Sequence, residues 1–349
     1  MRVCGFQLLK QKINNMKTFL LLLVFVFIQA LLNAQQSPAQ YPHKEMNNWG
    51  KWGPDDQKGA ANYITPQIVL EAAKLIRKGK IFSLAVPLDN NGPVFPGRLK
   101  PHHTMEITGA DYSTGFDMEP FVGKMKFADD YLYLALQAST QWDALCHVWY
   151  EDKLYNGFSE KTILSGMLGG ATKLGIENAR ESLIGRGILI DIVKFKGGNI
   201  LKGYSITTAD LEEALKKQKT ELKKGDIVVI RTGVVPDWYN NPSARSSYFD
   251  PQTGIGKDVV TWIKDKEIAA IAADNIGVER LPNEIDPKTL SPLHGNILRD
   301  LGVYIGEIWW LEDLAKDCEE DGVYEFFLAA QPLYIPGAIG SPINPIAIK

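Results

Sequence analysis

The chain has 349 residues, 45% of them hydrophobic and 23% charged, with a formal charge of −3 at pH 7. That balance carries no basic patch of the kind that binds nucleic acid or an anionic membrane. Three cysteines, Cys4, Cys146 and Cys318, are too few for a disulfide framework.

In chain order, Lys17 is a short basic start, residues 19–32 are apolar, and residues 32–34 end in the small Ala34. This is the pattern of a secretory signal peptide over residues 16–34 and predicts a periplasmic or secreted protein. The apolar run of about 14 residues falls short of the roughly 20 that span a bilayer, so no membrane attachment is expected after cleavage. Residues 1–15 read as an extension ahead of Met16. Without residues 1–34 the chain keeps 34 basic and 41 acidic residues, a formal charge of −7. The remainder divides into an N-terminal arm, residues 35–64, and one large domain, residues 65–349. No Pro/Ser-rich linker, charge block or repeat splits that domain.

The arm is rich in Trp, Gly, Asp and Asn, with Trp49 and Trp52 as packing anchors. Residues 66–78 place Ile68, Val69, Ala72, Ala73 and Ile76 at helical spacing. Residues 81–86 read as a strand. Residues 90–103 read as a loop punctuated by Gly92, Pro93, Pro96, Gly97 and Pro101. Residues 131–136 suit a strand and lead into Q-A-S-T-Q-W-D-A-L-C-H over residues 137–147. Beyond it, 187–192, 227–232, 268–273, 303–309 and 326–333 read as strands. Residues 208–218, 256–265 and 294–301 read as helices, the first capped by Thr208. The alternation defines an α/β protein, with antiparallel pairs and helical crossovers both open.

Residues 137–147 carry the most information. Gln137, Gln141, Asp143 and His147 all fall on odd positions, and an extended chain sets them on one face. Buried polar groups so clustered need a partner, which is a metal ion, a substrate or a hydrogen-bonded core network. Cys146, on the opposite face, reads as a small packed residue. Trp142 is either core or the wall of an apolar pocket for an aromatic ring. Arg231 and Asn275 follow or end buried strands, where clefts of α/β folds collect functional groups. Arg231 is either a clamp for a substrate carboxylate or a structural ion pair. Asp274 reads as a turn-fixing residue. There is no Walker loop, dinucleotide fingerprint or G-x-S-x-G elbow.

The 137–147 segment resembles the signature of the metal-dependent cyclase family, which includes kynurenine formamidases and isatin hydrolases. The family pattern is H-x-G-T-H-x-D-x-P-x-H, of which this chain keeps Thr140, Asp143 and His147. Gln137 and Gln141 stand where the family has histidines, Ser139 where it has glycine and Leu145 where it has proline. The likeness extends through N-W-G-K-W-G at residues 48–53, G-D-I-V-V-I-R-T-G at 225–233, A-D-N at 273–275, residues 294–307 and G-S-P-I-N-P at 340–345. The resemblance implies a swivelling β/β/α architecture. It implies that Asp143, His294, Glu307 and the positions of Gln137 and Gln141 hold a divalent metal, zinc or manganese, and that His147 transfers protons. His294 and Glu307 stand 13 apart, one more than the usual family spacing, so the turn between them is expected to carry an extra residue.

An amide oxygen is a poorer ligand than an imidazole, and three arrangements remain open. The glutamines coordinate weakly beside Asp143, His294 and Glu307; or His102 or His103 swings in as a ligand or substrate contact; or the metal is lost. The functional expectation is an exported metal-dependent hydrolase that cleaves an amide or ester-like bond in a small molecule: an aryl formamide, cyclic amide or lactone. The alternative is a periplasmic small-molecule binding protein on the same fold, without catalysis. A homo-oligomer is compatible with either.

Overall fold

The most apolar runs of the sequence become the middle of one nine-stranded sheet. The computed structural model describes residues 41, 43–116, 123–198, 200–286 and 288–349. Residues 16–34, expected from the sequence to be a signal peptide, lie outside them. Among the described residues no helix is long and apolar enough to cross a membrane.

The strands are β1 (Ile81–Ser83), β2 (His102–Ile107), β3 (Asp129–Tyr133), β4 (Gln141–Asp143), β5 (Ile184–Asp191), β6 (Ser205–Ile206), β7 (Ile227–Arg231), β8 (Gly254–Ile255), β9 (Ala270–Ala273), β10 (Tyr304–Glu307), β11 (Glu325–Ala329), β12 (Gly340–Pro342) and β13 (Ile346–Ile348). The large sheet runs β1-β13-β11-β5-β7-β9-β10-β4-β12. Its centre, β5-β7-β9-β10, is parallel, and antiparallel strands extend it on both sides. The central strands are buried along nearly their whole length, which is why they read as unbroken apolar runs. β2 and β3 form a separate antiparallel hairpin with mostly exposed side chains.

Four helices bear on the argument: α1 (Pro66–Ala73), α2 (Thr208–Gln218), α3 (Val259–Asp265) and α4 (Glu312–Asp321). α1 begins at Pro66, with Thr65 Oγ1 accepting from the Ile68 amide at 3.3 Å, and stops at Ala73, short of the expected residue 78. α2 spans the expected residues, but its cap is Thr207, not Thr208. Thr207 and Asp210 form a reciprocal capping box. The architecture is the mixed α/β fold that the resemblance implies.

The segment from residue 137 to 147 differs from the expected extended strand. Only Gln141–Asp143 is strand. Ser139, at φ 137°, breaks the extension ahead of it, and a turn closed by the His147 amide donating to the Ala144 carbonyl at 2.9 Å follows. The apolar residues before it belong to the β2–β3 hairpin and do not lead into β4.

A π-helical segment, Gly295–Asp300, follows His294 and leads towards β10. A π turn takes one residue more than an α turn, which coincides with the extra residue expected between His294 and Glu307. The N-terminal arm fastens this segment. Asn48 donates its backbone amide to the Asp300 carbonyl (2.8 Å) and Nδ2 to the Leu301 carbonyl (2.9 Å), and Trp49 Nε1 donates to the Arg299 carbonyl (2.8 Å). Asp300 is further held by Arg299 and by the Tyr150 hydroxyl, each at 2.6 Å.

Candidate metal centre

β4 and β10 lie side by side, with Gln141 opposite Glu307 and Asp143 opposite Ile305. Paired residues share a face of a sheet, so Gln141, Asp143 and Glu307 point to one side. The helical turn Pro292–His294 brings His294 over that face. One ligand atom from each of Asp143, His294 and Glu307 lies within 4.8 Å of the others, and all three residues are buried.

The contacts inside the group are specific. His294 Nε2 stands 3.1 Å from Glu307 Oε1 and 4.0 Å from Asp143 Oδ2. Gln141 Nε2 donates to Glu307 Oε2 at 2.6 Å. His147 Nε2 is 3.7 Å from Asp143 Oδ1. Both Asp143 oxygens and Gln141 Oε1 are buried with no hydrogen-bond partner. An isolated buried carboxylate costs several kcal/mol, and a cation removes that cost. The residues therefore fit a divalent ion: two carboxylates, one imidazole and one unsatisfied amide oxygen face a common point.

The electrostatics agree. Burial, and then the Glu307 carboxylate, push Asp143 well above the usual carboxylate range. Burial raises Glu307 too, but the His294 hydrogen bond and the charges of His294, Arg98 and His147 together outweigh it and leave Glu307 below its ordinary value. Burial alone would lower His294; hydrogen bonds to Glu279 and Glu307 overcome it and hold the imidazole up at about 10. Burial and the neighbouring His294 push His147 down to about 4. A bound cation would favour the deprotonated forms of Asp143 and His294.

A residue that sequence reasoning did not single out organises this group. Glu279 is fully buried and accepts from the backbone amides of Leu293 (3.2 Å) and His294 (3.0 Å) and from His294 Nδ1 (2.7 Å). Its one sequence signal is an acid among the apolar Ile276, Val278 and Leu281. Three non-glycine residues with positive φ flank the group: Ser139 (137°), Val278 (59°) and Ile308 (61°). For β-branched Val278 and Ile308 this is a costly backbone, and neighbours hold it. Ile308 is fastened at both ends, its amide to the Asn275 carbonyl (3.0 Å) and its carbonyl to the Thr140 hydroxyl (2.5 Å).

The other predicted site residues are elsewhere or otherwise engaged. Gln137 lies in the turn before β4, half-buried, with its carbonyl taken by Arg98 at 3.0 Å. Its side chain packs against Gly340 and makes no hydrogen bond to Asp143, His294 or Glu307. Trp142 corrects the pocket-wall expectation. Strand alternation turns it to the opposite face, where it is fully buried, edge-on to Trp309 at 5.1 Å, with Nε1 donating to the Ala330 carbonyl at 2.7 Å. Arg231 is spent in a structural ion pair: Nε and Nη2 meet Glu312 at 2.8 and 2.7 Å, and Nη1 meets Asp191 at 3.1 Å. Asn275 is fully buried, its Nδ2 ties the Thr253 carbonyl at 2.8 Å, and its Oδ1 has no hydrogen-bond partner. Asp274 fixes the Thr232–Gly233 turn through three hydrogen bonds of 2.6–2.7 Å. His102 and His103 sit on the exposed β2–β3 hairpin, away from Asp143, and His103 pairs with Asp130 at 2.5 Å. Cys146 and Cys318 are both buried and unpaired.

A cavity of about 100 Å³ opens onto the group. His147, His294 and Glu307 line it together with the apolar Phe95, Ile276, Leu281 and Leu290 and with Arg98.

Fold and cluster together define an α/β protein with a buried carboxylate–imidazole centre at the edge of its parallel strands. The chain belongs to the cyclase family: the family described as "Putative cyclase" matches residues 82–280. A crystal structure described as a novel cyclase is 64% identical, with a TM-score of 0.82, covering 87% of this chain and 100% of that one. An isatin hydrolase bound to the product analogue thioisatinate shares the fold at 22% identity and a TM-score of 0.55, covering 81% and 98%. Isatin hydrolase A from Labrenzia aggregata, bound to benzyl benzoate, does so at 17% and 0.55, covering 80% and 97%. A search of curated proteins found no match.

Proposed function

We propose that this protein is a metal-dependent hydrolase of a small amide or ester-like substrate: an aryl formamide, a cyclic amide or a lactone. The observation that carries the proposal is the pair of unpartnered Asp143 oxygens facing His294 and Glu307 in a buried cluster. Membership of the cyclase family, and the fold shared with two isatin hydrolases, support the reaction class.

In this reading Asp143, Glu307 and His294 would hold the ion, zinc or manganese, with Gln141 Oε1 as a neutral fourth ligand. A bound divalent cation polarises a carbonyl and lowers the pKa of water towards about 7. Glu279 takes the Nδ1 proton of His294 in a hydrogen bond and leaves Nε2 free to face the ion. His147, kept neutral at pH 7 by burial, has a lone pair to accept a proton from the attacking water and return it to the leaving group.

Turnover on formanilide, an aryl lactam and an aryl lactone, read beside metal content, tests the proposal. His147→Ala is expected to keep its metal and lose roughly 10²–10⁴-fold in turnover, the usual contribution of a positioned acid–base. Asp143→Ala is expected to lose the metal itself. Unchanged metal content in Asp143→Ala contradicts the ligand assignment. Gln141 gives the cluster a neutral amide in place of an imidazole, which favours a second reading as a binding protein without catalysis. Wild-type protein that binds metal and the three compounds without cleaving any would establish that reading.

A further inference from the structure

The cavity lining carries Arg98, which makes no ion pair among the described residues, although its charge reaches Asp143 and Glu307 and acts to lower the pKa of both. Residues 95–98, Phe-Pro-Gly-Arg, form a tight turn in which the Arg98 amide donates to the Phe95 carbonyl at 3.1 Å. Pro96 presets the first corner, and Gly97 takes the second at φ 92°, a backbone glycine adopts without strain. The turn sets Phe95 and Arg98 side by side, the guanidinium 5.6 Å from the ring centroid. Arg98 Nη1 is anchored on the Gln137 carbonyl, its one hydrogen bond among the described residues.

Two other half-buried arginines, Arg245 and Arg280, likewise meet only carbonyls and, for Arg245, a ring, but neither lines this cavity. Three arginines behave differently. Arg186 meets Asp226 at 2.9 Å, Arg231 meets Glu312 at 2.7 Å and Arg299 meets Asp300 at 2.6 Å. Each is neutralised by a carboxylate of the chain. Arg98 has no such partner among the described residues, yet it lines the cavity with His147, His294 and Glu307. A guanidinium held by a ring and one carbonyl, with its remaining N–H groups free, is preorganised to receive a planar anion. The cavity's apolar lining of Phe95, Ile276, Leu281 and Leu290 suits a flat apolar body.

We propose that Arg98 determines specificity, selecting substrates that join a carboxylate to an aromatic body, with the carboxylate on Arg98 and the ring against the apolar lining. The proposal rests on the hydrolase reading of the same site and names the substrate class it takes.

Benzoate and its neutral isostere benzamide are the probes, titrated calorimetrically into manganese-loaded wild type and Arg98→Met, which keeps an unbranched apolar side chain over Phe95. Wild type is expected to bind benzoate roughly 10- to 100-fold more tightly than benzamide, the range for a hydrogen bond to a charged group. Arg98→Met is expected to lose that preference while binding manganese as wild type does. Equal binding of the two probes by wild type overturns the proposal without recourse to any variant. So does a benzoate preference that persists in Arg98→Met, which would place the carboxylate on the metal. Manganese titration separates the two claims. Absent manganese binding strikes the metal reading and leaves the probe comparison readable on metal-free protein. Absent benzoate preference with manganese bound strikes Arg98 alone.

Discussion

Glu279 and His294 show how one buried carboxylate defines the chemistry of a neighbour. The carboxylate takes two backbone amides and the imidazole Nδ1. That leaves Nε2 as the nitrogen facing Glu307 and Asp143. Glu279→Gln keeps the shape and can donate where only an acceptor fits, so the ring loses its fixed tautomer. Manganese affinity is expected to fall roughly 10- to 100-fold, as for other groups that orient a ligand. Wild-type affinity in a titration of this variant would show that backbone packing alone orients His294. Asp143, His294 and Glu307 were legible in the sequence because their residue types and the family motif coincide. Glu279 and Arg98 were not, because each acts through where its loop docks. Arg231 was legible as a cleft residue, but the carboxylates of Asp191 and Glu312 that consume it come from 40 and 81 positions away.

At the scale of the element, β4 is the piece on which the centre depends. Three residues long, it puts Gln141 and Asp143 on the ligand face and Trp142 on the core face. A period of two correctly paired Gln141 with Asp143. It did not reveal that the chain turns at Ser139 and again after Asp143, so Gln137 is carried away from the cluster and His147 reaches Asp143 by a turn. Gly306 opposite Trp142 is what lets the two strands approach. A Cβ there would stand 2.7 Å from the Ala272 Cβ and the Trp142 ring and 2.9 Å from Trp309 Nε1. Gly306→Ala is expected to cost about 1–3 kcal/mol of stability, the range for overpacking a tight core. The adjacent Glu307 is expected to shift with it and weaken metal binding. Denaturant unfolding together with a metal titration checks both, and a variant as stable as wild type would show that the Trp142–Trp309 pair yields.

At the scale of the whole molecule, the parallel centre was readable because β5, β7, β9 and β10 are buried on both faces and spell apolar runs. The closing strands β12 and β13 were not, since three residues each leave no periodicity to detect. The sheet order β1-β13-β11-β5 joins residues from opposite ends of the described chain, and no local pattern encodes that. This global arrangement converts three residues scattered over 165 positions into one cluster. The direct test is an anomalous difference map from crystals of the metal-loaded protein, collected on both sides of the manganese or zinc edge. A single strong peak is expected about 2.0–2.2 Å from Asp143, His294 Nε2 and Glu307, the length of metal–oxygen and metal–nitrogen bonds. A peak at His102 and His103 instead, or none at Asp143 in loaded crystals, would contradict the account.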